Sequence, residues 1–66
     1  MEKKFAEQVV NELNKVAGPK LSMLEAMSME LVKSDSYDIY AVQKGTITFL
    51  AMVTRDMRVT VKLIGW

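Results

Sequence analysis

Sixty-six residues make one domain at most, and ordering them costs roughly 1.5 kcal/mol each, about 100 kcal/mol in all, which apolar burial must offset. Half of the chain is hydrophobic and it contains no cysteine or histidine, which excludes disulfides, a Cys/His zinc site, and the commonest catalytic base and thiol nucleophile. The formal charge of +1 divides into −1 for residues 1–36 (five Lys against six acids) and +2 for residues 37–66 (four cations against two acids), a balance that gives little support to a broad phosphate-binding footprint.

Residues 2–17 read as an amphipathic helix. Phe5, Ala6, Val9, Val10, Leu13, Val16 and Ala17 fall within an arc of about 140° on a 3.6-residue wheel, and Gly18-Pro19 ends the run because proline cannot continue the hydrogen-bond ladder. A second helix is expected over residues 22–33. Ser22 and Glu25 have the spacing of a capping box, Leu24, Met27 and Leu31 form the inward stripe, and Lys33 suits the negative end of the helix dipole. In this reading Met23 and Met27 fill core gaps, whereas Met29 projects outward and is available for contact. The two helices form an antiparallel hairpin.

After the polar connector Ser34-Asp35-Ser36, three runs with apolar residues at period two predict strands over 37–43, 46–53 and 57–64. Lys44-Gly45 is the expected two-residue turn, pairing Val42 with Ile47 and Tyr40 with Phe49. For the second turn, a three-residue loop Thr54-Arg55-Asp56 keeps Val59, Val61 and Leu63 on the face of Phe49. A two-residue loop Arg55-Asp56 sends them to the other face. The three-residue loop is preferred because it gathers the apolar residues. The expected fold class is therefore α+β, an N-terminal antiparallel helical hairpin packed on a three-stranded antiparallel β-meander (ααβββ).

That register leaves a second sheet face carrying Tyr37, Ile39, Ala41, Leu50 and Met52 beside Thr48, Arg58, Thr60, Lys62 and Ile64. Such a face is too apolar to stay in water, and patches of this kind mark interaction sites. A small non-enzymatic binding or regulatory module is expected, acting through protein contact as a homodimer or with another protein. Tyr37, Ile39, Leu50 and Met52 are its anchors, with Arg58 and Lys62 at the rim. The alternative is a nucleic-acid-binding regulator using Lys44, Arg55, Arg58, Lys62 and Tyr37. Asp35 and Asp38 are the one carboxylate pair near a loop, and turn roles explain them better than a metal or a hydrolase. Trp66 reads as a packing plug. No cofactor or metal is expected, and no apolar run is long enough for a membrane span. Met1-Glu2-Lys3-Lys4-Phe5 lacks the apolar stretch of a signal peptide, so a cytoplasmic location is expected.

Overall fold

A computed structural model of the chain describes residues 1–65. The order of elements is α1 (Lys3–Asn14), α2 (Met23–Met27), β1 (Glu30–Ser34), β2 (Tyr37–Lys44), β3 (Ile47–Thr54) and β4 (Val59–Ile64). The four strands form one antiparallel sheet in the order β1-β2-β3-β4. The class is α+β, but the expected helical hairpin on three strands is wrong: there is one long helix, one single-turn helix and a fourth strand.

α1 buries Ala6, Val9 and Leu13 and packs on α2 and β4. It stops at Asn14, short of the expected residue 17, and the Lys20 ammonium folds back onto the carbonyls of Leu13 and Val16. A cation there satisfies acceptors that a helix end leaves open. Val16 and Ala17, assigned to the apolar arc, are consequently exposed.

The Ser22 capping box forms as its spacing predicts. The Ser22 hydroxyl accepts from the Glu25 amide at 3.1 Å, and the Glu25 carboxylate accepts from the Ser22 amide at 2.8 Å. The helix it starts lasts only to Met27. Ser28 donates its hydroxyl to the Glu25 carbonyl at 2.6 Å, the kind of local bond that competes with helix continuation, and from Glu30 the chain is extended. The decisive competitor is β2, whose open edge hydrogen-bonds residues 30–34 as β1. A four-stranded sheet gains a whole ladder and buries Met29 to 2% exposure, more than continuing a solvent-facing helix would yield. The expected stripe is thereby overturned. Leu24 is 79% exposed and Leu31 53%, whereas Ala26, Leu21 and Met29 are in the core.

Both hairpins keep the expected faces with a register two residues away from the expected one. Lys44 pairs with Ile47 and Val42 with Phe49, so the first loop is Gly45-Thr46 rather than Lys44-Gly45. Gly45, at φ 63°, takes the first loop position, where a mirror-image hairpin turn demands a positive φ. In the second hairpin Val53 pairs with Val59 and Phe49 with Leu63. The loop is Arg55-Asp56-Met57, closed by the Met57 amide on the Thr54 carbonyl at 2.9 Å and the Thr54 amide on the Arg58 carbonyl at 3.0 Å. It remains a three-residue loop, one residue later than expected. Thr54 favours this placement, since its hydroxyl engages both the Asp56 carboxylate and the Arg58 amide.

Met57 occupies the left-handed position of this loop, φ 66°, where glycine or asparagine is usual. Met57→Gly is expected to stabilise the fold by about 1 kcal/mol, the cost of a side chain in that region, which raises Tm by roughly 4–8 °C in a domain of this size. Thermal melts followed by circular dichroism measure it, and an unchanged or lower Tm counts against the loop geometry.

The core lies between the helices and one sheet face. Phe49, Ala51 and Val53 on β3 are buried, with Tyr40, Val42, Val59, Val61 and Leu63 partly buried around them. Trp66, expected as a packing plug, lies outside the described residues.

Candidate functional site

Because side chains alternate across a strand, the residues not directed at the helices form a second face, whose composition follows from the pairing. One cross-strand row reads Glu30, Ala41, Leu50, Lys62; the next reads Ile39, Met52, Thr60, with Lys33 opposite Ile39 on β1. Tyr37 and Thr54 lie beyond these at one end, and Gln43, Thr48 and Ile64 at the other. Ile39, Leu50, Met52, Thr60 and Lys62 line a shallow depression of about 190 Å³ on this face. The six residues expected to form the contact surface are therefore not assembled equally: four of them, Ile39, Leu50, Met52 and Lys62, surround one depression, while Tyr37 stands at the end of the same face.

Arg58 lies just before β4, beside the hairpin loop, with its side chain 84% exposed and its guanidinium 3.2 Å from the Asp56 carboxylate. It belongs to the turn more than to the depression. Glu30, which sequence reasoning placed on a helix, joins the face because β1 exists. The signal that could have found it is the Glu-Leu-Val-Lys run itself, with β-branched Val32 inside it, but a β-bulge between Leu31 and Lys33 interrupts its alternation.

The cations of the nucleic-acid alternative are divided between the two ends of the sheet. Lys44, at the β2–β3 turn, lies 3.1 Å from the Glu25 carboxylate. Arg55, at the opposite end, is 3.6 Å from Asp38 and also donates to the Asp35 carbonyl. Lys62 makes no ion pair among the described residues, and Tyr37 is half-buried beside Thr54. This arrangement supplies no continuous basic track of the kind that follows a phosphate backbone.

Asp38 accepts from the Ser34 hydroxyl at 2.7 Å as well as facing Arg55, so its carboxylate is occupied in tying the β1–β2 turn. Among the described residues no group of three or more acidic, cysteine or histidine side chains is placed to hold a metal ion. The acidity of Glu25 is shifted. Its hydrogen bond from the Ser22 amide, and then the Lys44 ammonium, hold its carboxyl below the usual carboxylate range, against a smaller opposing effect of desolvation. Both partners are structural, so this shift marks a helix cap and not a reactive acid. No helix among the described residues is long and apolar enough to cross a membrane.

No protein-family model matches the chain, and comparison with curated proteins and with solved structures likewise returned no match.

Proposed function

We propose that this chain is a non-enzymatic contact module that works as a homodimer through its outer sheet face. The observation that carries the reading is the patch of apolar side chains on the central strands, Ile39 and Ala41 on β2 with Leu50 and Met52 on β3, left on the side of the sheet away from α1 and α2, where Ile39, Leu50 and Met52 line the 190 Å³ depression. These four side chains are partly buried within the sheet and keep the rest of their apolar surface in water, and a chain this short buries only about 60% of its extended surface and benefits from a second source of burial. Sheet faces pair readily in aligned packings, and two-fold symmetry lets one patch serve both partners. A cytoplasmic setting belongs to the same proposal, and the cysteine-free sequence is compatible with it.

The nucleic-acid reading gains less support, because Lys44, Arg55 and Arg58 are engaged with carboxylates at opposite ends of the sheet. Leu50→Asp tests the proposal. A carboxylate at the middle of the face must be desolvated on association, so the variant is expected to be monomeric where the parent chain is dimeric, with its far-UV circular dichroism unchanged. Undiminished association of a folded Leu50→Asp variant would remove this face from the account.

A further inference from the structure

The outer face is charged asymmetrically along one of its rows. Glu30 on β1, Ala41 on β2, Leu50 on β3 and Lys62 on β4 are successive cross-strand partners, so an acid stands at one edge and a base at the other with small and large apolar residues between them. Both charged residues are exposed, and neither forms an ion pair among the described residues. Some carboxylates and cations of the chain are paired locally, as in Glu25 with Lys44 and Asp38 with Arg55, whereas Lys33 on the same face of β1 also lacks an ion pair among the described residues.

Resting on the homodimer reading, we propose that the second copy packs face to face about a two-fold axis parallel to the strands, with Glu30 of each protomer opposite Lys62 of the other. This axis pairs both charges of the row at once. An axis along the strands, midway between β2 and β3, carries β1 of one protomer over β4 of the other without moving a residue out of its row. Glu30 then meets Lys62 twice, and Leu50 lies over Ala41, a large side chain against a small one. An axis across the strands in the same row sets Lys62 over its own copy and Glu30 over its own copy, a like-charge arrangement that costs affinity. Sheets stacked face to face are ~10 Å apart, a separation that the long Lys and Glu side chains span together.

Four strands spaced ~4.8 Å apart and about six residues long present a face of roughly 20 by 20 Å. Pairing two such faces buries on the order of 800–1,000 Å² in total, below the range of tight standard-size interfaces, so the dimer is a weak one with a Kd on the order of micromolar. At that strength two rim ion pairs are a sizeable part of the selectivity of the contact, and the partner they select is a second copy of this chain.

Charge reversal tests the arrangement. Glu30→Lys places Lys opposite Lys twice in its own dimer, and Lys62→Glu places Glu opposite Glu, so each variant alone is expected to dimerise about tenfold more weakly than the parent at low salt. Mixed in equal amounts, the two variants form a heterodimer in which both contacts are Lys opposite Glu, expected within about threefold of the parental Kd. Glu7→Lys, an exposed position on α1, makes the same change of net charge as Glu30→Lys on the helical side. It is expected neither to weaken its own dimer comparably nor to rescue Lys62→Glu. The measurement is sedimentation equilibrium of each variant and each mixture, with circular dichroism as the check on folding.

Single variants that dimerise like the parent, or a mixture no tighter than its components, overturn this arrangement; if Leu50→Asp still dissociates the parent dimer, the face itself stands. Equal rescue by Glu7→Lys also overturns it, because overall charge would then explain the effect. A parent chain that stays monomeric overturns the arrangement and the homodimer reading together.

Discussion

Phe49→Ala is expected to remove about 3–5 kcal/mol of stability at 25 °C, a third or more of what holds the chain folded. Phe49 is fully buried at the middle of β3, with Val42 and Leu63 as its cross-strand partners and α1 and α2 supplying the rest of the core. Truncating a buried Phe to Ala removes about 3–5 kcal/mol through lost transfer energy and the cavity left behind. A domain of this length has a total stability of roughly 3–10 kcal/mol at 0.05–0.15 kcal/mol per residue. The substitution therefore takes away a third of the margin or nearly all of it. Urea titration of both proteins by circular dichroism gives the difference, and a loss under about 1 kcal/mol is incompatible with a core centred on this side chain.

Met29→Ala and Leu24→Ala are expected to behave oppositely to their positions on a helical wheel. Met29 is 2% exposed and belongs to the core cluster with Leu21 and Ala26, so its truncation is expected to cost about 2–4 kcal/mol. Leu24 is 79% exposed on α2, and its truncation is expected to stay within about 0.5 kcal/mol. A continuous helix over residues 22–33 reverses the order, since it directs Leu24 inward and Met29 outward. The two midpoints in urea thus decide whether the chain leaves the helix at Ser28, and equal effects at both positions contradict the fold described above.

The contrast between these two residues also shows what the amino-acid pattern carries and what it hides. Strands β2, β3 and β4 are legible because Val59, Val61 and Leu63 alternate with Thr60 and Lys62, and because the apolar run Phe49 to Val53 is short and lies between the turn signals Lys44-Gly45 and Arg55-Asp56. Both hairpin registers differ from expectation by two residues, an even shift that leaves every side chain on its assigned face. Ile39, Leu50, Met52 and Lys62 were therefore assignable to one surface even though their cross-strand partners were not. The one-turn length of α2 was not legible. Leu24, Met27 and Leu31 are spaced like a helical stripe, and the Ser22 capping box is a true helix start. What ends the helix is the free edge of β2, a non-local partner that local spacing does not encode. The bulge between Leu31 and Lys33 then removes from β1 the alternation that marks a strand. The place of Glu30 beside Ala41 is hidden for the same reason, since it exists only once the fourth strand does.

The homodimer is the central claim, and the mass of the unaltered chain across a wide dilution series tests it most directly. One chain weighs 7.5 kDa. Light scattering is expected to move from that mass at high dilution toward twice that value as concentration rises through the micromolar range, in keeping with a contact of this area. A mass that stays at 7.5 kDa from the most dilute to the most concentrated sample contradicts the homodimer.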